Sequence, residues 1–422
     1  MFDVPMGLVL IPAILAPFIA RLGEKTPWRM LVLFLLLSLA SVLIVALSPF
    51  VRIFYFLFLL GATLVAAYAP LDGWWRSTLF GLTVLGVLGC VSSGDLFSFY
   101  IFLELSLLSS AILVHNRNPA STKAGLNYLM TSALGSILFL FGIALYYSST
   151  GGLLAGGGPS LIAVALLLCG LALKSALFPF HAWAPVAYDE SDPQTSALLS
   201  GLLSKLGFIG ILKFLPLQTN ILLVLGLATA LYAAVVALRE MNLKKILAYS
   251  SIGHMGYVAF ALSFAAGAVP AVVHMFNHLI AAVLLFLAAG IFIAATGKRR
   301  IDELQGCCRN PLGVIFIIGL LAAAGIPPLS CFFSESMILK SAFDSGSVLA
   351  GFLMIAALLI SACFYIKVVY FLAVKEPKDK IVAKVSNAQW AVLIALLLFV
   401  ILAGIYPEPL VRAAETVVST IR

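Results

Sequence analysis

LALKSALFPFHAW (residues 171–183) and LLAAAGIPPLSCFFSESM (residues 320–337) are apolar stretches that proline interrupts close to an ionisable residue. Pro179 has no N–H to bond back to Ser175 and its ring crowds that turn, so the first stretch predicts a helix broken near Lys174. In the second, Gly325 with Pro327 and Pro328 predicts a break that frees the carbonyls of Ala323 and Ala324. Glu335 then falls roughly 10 Å further along the same face at helical rise. Unwound backbone survives in a bilayer only where protein or water satisfies it. Paired breaks in corresponding places of two halves point to inverted repeats around an ion path.

Composition places both stretches in a membrane. The 422 residues are 63% hydrophobic and 10% charged, with a mean hydropathy of +1.15. A water-facing surface needs far more charge. MFDVPMGLVLIPAILAPFIARLGEK has no basic residue before its apolar run and reads as a first membrane helix rather than a cleaved signal. Spans are expected near 5–22, 28–48, 51–70, 75–93, 95–114, 121–147, 159–180, 193–216, 219–238, 244–266, 269–296, 312–342, 349–374 and 386–410. The expectation is an all-α polytopic membrane protein, a single membrane domain over 1–422 with about fourteen transmembrane helices. Its two inverted repeats, about 75–216 and 219–374, each contain a broken helix.

The net charge of +8 follows topology instead of marking a nucleic-acid surface. With those spans, one side collects Arg21, Lys25, Arg29, Arg76, Arg117, Lys123, Arg239, Lys244, Lys245, Lys298, Arg299, Arg300, Arg309, Lys375, Lys378, Lys380 and Lys384. The other holds only Arg52, Arg412 and Arg422. This asymmetry predicts the first side as cytoplasmic and both termini outside the cell or inner membrane.

Cofactor chemistry finds little support. Cys90, Cys169, Cys331 and Cys363 lie in apolar runs and Cys307–Cys308 in a loop, without the spacing of iron–sulfur or zinc ligands. GGLLAGGGPS at 151–160 reads as a short extramembrane turn, lacking the strand and Lys-Ser/Thr ending of a phosphate cradle. Nicotinamide, flavin, quinone and metal sites are not expected in this chain.

Glu104, Lys174, Lys205 and Glu335 all sit inside apolar runs. A charge at mid-membrane costs at least ~3 kcal/mol, so it rarely stands there without a partner or a function. Glu104 is the natural partner of Lys174, and a lysine whose partner can move away makes a switchable proton site. Static buried pairs add little stability over apolar packing. Lys205 lies mid-helix among Ser200, Gly201, Ser204 and Gly207, while Lys213 nearer a helix end reads as snorkelling. His274 and His278 are four apart on one helical face, and with His254 they can relay protons through water. A zinc site at these histidines is conceivable, but no third ligand or acid is expected nearby. Lys340 and Lys367 are secondary candidates near helix ends. The line runs Glu104, Lys174, Lys205, His254, His274, His278, Glu335.

KSALFPFHAWAPVAYDESDPQTSALLSGLLSKLG, REMNLKKILAYSSIGHMGYV, HMFNHLIAAVLLFLAAG and GIPPLSCFFSESMILKSAF carry a likeness. They resemble the antiporter-like subunits shared by respiratory complex I, Mrp-type multi-subunit cation/proton antiporters and membrane-bound hydrogenases. The likeness covers roughly 95–345 strongly. It implies a fourteen-helix fold with two inverted five-helix repeats and a role in proton translocation. By the same resemblance Glu104 matches the fifth-helix glutamate, Lys174 the broken-helix lysine, Lys205 the central lysine and Glu335 the residue that ends the path. One departure stands out: Ala282 occupies a position where many members have lysine, as in the branch of complex I subunits that end in glutamate.

The expected function is a proton- or sodium/proton-translocating subunit with no redox chemistry of its own. Its partners would be other membrane subunits and a peripheral redox module, which would hold any iron–sulfur or metal centres. A self-sufficient Na+/H+ exchanger would instead transport when reconstituted alone. A purely structural subunit would keep coupling after conservative swaps at Glu104 and Glu335.

Overall fold

The computed structural model describes residues 4–20, 23, 25–115, 118–154, 160–377 and 384–421. Residues 155–159 of the Gly-rich turn, and Arg21, Arg117, Lys378, Lys380 and Arg422 of the loop-charge reading, lie outside the described residues. The described chain is helical with no β-strand, only an isolated bridge between Asn242 and Arg300. It divides into two compact units.

The first unit comprises Met1–Ala176, Leu202–Pro216 and Thr416–Arg422. It contains α1 (Val4–Ile19), α2 (Thr26–Ser41), α3 (Pro49–Tyr68), α4 (Trp74–Ser92), α5 (Leu96–Val114), α6 (Pro119–Thr150), α7 (Leu161–Lys174) and, in the second of its segments, α10 (Leu206–Phe214). Helices α4 and α5 pack as one pair and α6 and α7 as another, with α10 against α7. Polar side chains start several of these helices. Asp95 caps α5 through the amides of Phe97 and Ser98, and Ser160 caps α7 through Ala163.

The second unit comprises Leu177–Gly201 and Leu217–Glu415. Its helices are α8 (Trp183–Glu190), α9 (Pro193–Gly201), α11 (Asn220–Arg239), α12 (Leu243–Leu262), α13 (Ala268–Thr296), α14 (Pro311–Ala323), α15 (Ser330–Asp344), α16 (Val348–Val369) and α17 (Asn387–Ile405). Helix α13 is its spine. Every residue from Pro270 to Phe292 is buried, and α9, α12, α14, α15 and α17 pack around it. A helix apolar all round belongs in a core. Its few polar residues, His274, Asn277 and His278, must therefore bond inward, because a buried polar group left unpaired is costly.

Nine segments of the described chain are long and apolar enough to cross a membrane, with shorter apolar helices at Val4–Phe18, Thr26–Ser41, Leu161–Lys174 and Pro311–Ala323. The two proline-bearing stretches account for part of the difference from the expected spans. Helix α7 stops at Lys174 and helical structure resumes at Trp183, while the expected 312–342 helix divides into α14 and α15. The last expected span, 386–410, ends instead at Ile405. Pro407 follows it, and an amphipathic helix α18 (Glu408–Ile421) takes over.

Candidate functional site

The first unit gathers three polar side chains from three helices. Glu104 comes from α5, Ser136 from α6 and Lys174 from the last turn of α7. The buried Lys174 ammonium donates to the Ser136 hydroxyl at 2.9 Å and to the Ser132 carbonyl at 3.2 Å. Its distance to the Glu104 carboxylate is 3.5 Å. Ser136 in turn donates to that same carboxylate. The hydroxyl thus accepts from the base and donates to the acid. The structure brings Glu104 and Lys174 together, with a serine between them that sequence reasoning missed. Ser132 and Ser136 stand one helical turn apart in an apolar run, the only signal that would have found them.

The chain beyond Lys174 leaves the helix at once. Ser175 still bonds back to Leu171, Ala176 takes a positive φ of 53°, and Phe180 bonds to Leu177. The interruption precedes Pro179 by a full turn. Lys205 lies near the middle of the apolar span Pro193–Phe214, at the end of a single 3₁₀ turn, Leu203–Lys205, that precedes α10. At Gly207, just beyond it, a Cβ would collide with Ser175 Oγ and the Leu171 carbonyl. Only glycine lets α10 press against the end of α7. The Lys205 side chain is 1% exposed and donates to Ser204 Oγ at 3.2 Å.

Lys213 sits near a helix end as expected, but it does more than snorkel. Its ammonium donates to the carbonyls of Val91, at 2.8 Å, and Ser93 at the end of α4, and lies over the rings of Phe50 and Phe214.

The second unit brings His254, His274 and His278 into one cluster. His254 from α12 stacks near both α13 histidines, its ring centroid 5.1 Å from His274 and 4.6 Å from His278. His254 Nδ1 and His274 Nε2 are 2.9 Å apart and share a hydrogen bond. The far nitrogens are engaged as well. His254 Nε2 meets the Tyr365 hydroxyl at 3.2 Å, and His274 Nδ1 meets Ser334 Oγ at 2.9 Å. Tyr365 continues to Ser250, and Asn277 bonds to Ser334 at 3.2 Å and the Ser330 carbonyl at 2.8 Å. The result is an unbroken hydrogen-bonded chain Ser250–Tyr365–His254–His274–Ser334. Nothing in the sequence singled out Tyr365, one tyrosine in an apolar helix.

Glu335 lies on α15, which packs against α14, and Gly325, at φ +65°, turns the chain at the break between them. A Cβ on Gly325 would occupy the space of the Glu335 carboxylate. The acid also lies beside the histidines: one ligand atom each from His254, His274 and Glu335 fall within 4.8 Å of one another. The expectation that no third ligand stands nearby fails because α15 brings one in from a distant part of the chain. Glu335 Oε1 is buried and has no hydrogen-bond partner among the described residues.

Ala282 borders a cavity of about 10 Å³ that His278 and Ser250 also line, room for one water. Lys367 donates to the carbonyls of Ala237, Leu238 and Glu240 at 3.1, 2.8 and 2.6 Å, closing the C-terminus of α11. Lys340 is exposed and paired with Asp344 at 2.6 Å. Neither secondary candidate touches the clusters. In the last turn of α8, Asp189 accepts from Asn242 and faces Arg299 at 3.4 Å, while buried Lys244 donates to the carbonyls of Asp189 and Ser191. Burial raises the Asp189 carboxyl above its ordinary range, against the pull of the Arg299 guanidinium.

A family model described as NADH:quinone oxidoreductase/Mrp antiporter, transmembrane, matches residues 93–363, a span that contains both clusters. The NADH-quinone oxidoreductase subunit N of Desulforamulus reducens is 32% identical over 361 residues, 79% of this chain and 75% of that protein. A chain of the membrane-bound sulfane sulfur reductase, an archaeal respiratory membrane complex, superposes with a TM-score of 0.90 at 26% identity, covering 99% of this chain and 97% of that one. A chain of respiratory complex I from Thermus thermophilus gives 0.88 at 25% identity, covering 98% and 100%.

Proposed function

Because the chain belongs to the NADH:quinone oxidoreductase/Mrp antiporter family of membrane subunits, we propose that it carries protons within a multi-subunit energy-converting membrane complex. The proposed route begins at Glu104 and Lys174, continues to Lys205, passes His254, His274 and His278, and ends at Glu335. One observation carries this reading: Ser136 accepts from Lys174 while donating to Glu104, at the point where α7 gives way. A static ion pair would gain most from direct contact between ammonium and carboxylate. Here each makes its shorter contact with a hydroxyl, which can hand a proton on by turning. In the second unit, the hydrogen-bonded rings and hydroxyls supply a relay in which each ring can accept on one nitrogen and release from the other. Water beside Ala282, held by Ser250 and His278, would stand where many members of the family have a lysine.

The finer organisation belongs to the same proposal. About fourteen membrane helices would form two inverted repeats, about 75–216 and 219–374, with the interruptions at 175–182 and 324–329 facing the route. Both termini would lie outside, by the loop-charge asymmetry. Other membrane subunits would flank the chain, and a peripheral redox module would hold the electron-transfer centres and drive it.

The test uses the intact complex in sealed vesicles. Lys174→Ala and Lys205→Ala should each abolish proton uptake while the complex still assembles. Undiminished uptake by assembled Lys205→Ala complex would remove this route.

A further inference from the structure

We propose that His254, His274 and Glu335 form a binding site for a divalent transition cation of the Zn2+ class, and that a bound cation blocks the chain. Each residue offers one ligand atom, the three atoms lie within 4.8 Å of one another, and all three residues are buried. Two imidazoles and a carboxylate are a well-suited donor set for zinc, with a fourth position left for water. Sodium, magnesium and calcium take oxygen donors, so this set excludes the hard cations as good fits.

The surroundings are arranged as the outer partners of a metal site would be. Metal-binding histidines engage the nitrogen that does not bind the metal. Tyr365 engages His254 Nε2, and Ser334, steadied by Asn277, engages His274 Nδ1. That leaves His254 Nδ1 and His274 Nε2 facing each other at 2.9 Å. Two nitrogens on one tetrahedral zinc stand about 3.3 Å apart, so the rings need separate by only a few tenths of an ångström. The third ligand is also prepared. The Glu335 carboxylate occupies space that a Cβ on Gly325 would fill, and Oε1 is buried without a hydrogen-bond partner among the described residues. One of the Glu335 carboxylate oxygens lies within 4.8 Å of a ring nitrogen of each histidine.

A cation held there replaces the His254–His274 hydrogen bond and ties both rings to one centre. The binding claim stands on geometry alone; the block rests on the proposed function. The experiment takes the purified complex, stripped with chelator, equilibrates it with ZnCl2, and combines a metal count with zinc-edge X-ray absorption. The expected result is a tightly held zinc with imidazole nitrogen and carboxylate oxygen at about 2.0–2.1 Å. His274→Asn and Glu335→Gln should each weaken that site by about tenfold or more. His115→Asn, outside the cluster, should not. Should either variant fail to assemble, Glu335→Asp keeps the carboxylate and is expected to bind measurably more weakly. Zinc retention and spectra unchanged across these variants would overturn the site, as would failure of the wild-type complex to retain zinc. Proton uptake is measured alongside. Zinc bound with this signature but without effect on uptake upholds the site and counts against the proposed route.

Discussion

Lys174 and Glu104 stand 3.5 Å apart, yet each makes its shorter contact with the hydroxyl of Ser136. The serine is therefore part of the exchange between them. Ser136→Ala should leave the buried ammonium with one good acceptor fewer, a loss of about 1.5–3 kcal/mol for a hydrogen bond to a charged group. Proton uptake by the complex should fall by about tenfold or more, with Ser136→Thr retaining most of it. Equal uptake in the alanine variant and the wild type would reduce Ser136 to packing.

Gly325 and Glu335 are coupled by space. At φ +65° an alanine is strained, and its Cβ would displace the carboxylate. Gly325→Ala should cost about 1–3 kcal/mol and shift the midpoint of thermal unfolding downward. It should also lower proton uptake more than Ala324→Ser does. Shortening the acid in Gly325→Ala/Glu335→Asp makes room, and part of the lost stability should return.

These two positions show what was legible in the sequence. Charges in apolar runs are conspicuous, so Glu104, Lys174, Lys205 and Glu335 could be named from composition and spacing alone. Their bridges could not. Serine, tyrosine and asparagine are tolerated throughout membrane helices; beyond the one-turn spacing of Ser132 and Ser136, nothing local distinguishes Ser136 or Tyr365 from others of their kind. Distances across an interruption were illegible too. Helical rise applies only within one regular helix, so it could not show that the Glu335 carboxylate fills the space beside Gly325 across the break. The same limit hid the approach of Glu335 to His254 and His274.

Lys367 offers the contrast to Lys174. Its three carbonyl acceptors close the end of α11, where a cation satisfies orphan carbonyls and the helix dipole together. Lys367→Met should lower stability by about 1 kcal/mol while uptake per assembled complex stays at the wild-type value. Lost uptake at unchanged stability would place Lys367 on the route instead.

Asp189 gives a pH dependence whose sign can be worked out. Burial raises its carboxyl above the ordinary range, with Arg299 opposing the shift. An acid raised in the folded state binds its proton more tightly folded than unfolded. Stability from this group is therefore greatest below the ordinary carboxylate value of about 3.9 and declines as pH rises through the folded value. A salt-bridged acid with a depressed value behaves in the opposite sense. Asp189→Asn removes the titration and keeps an acceptor for Asn242, so subtracting its unfolding midpoint from the wild-type midpoint isolates the group. That difference should shift in favour of the wild type as pH is lowered from neutrality toward about 4. A shift in favour of the variant over the same range would mean that attraction to Arg299 and Lys244 outweighs burial at this site.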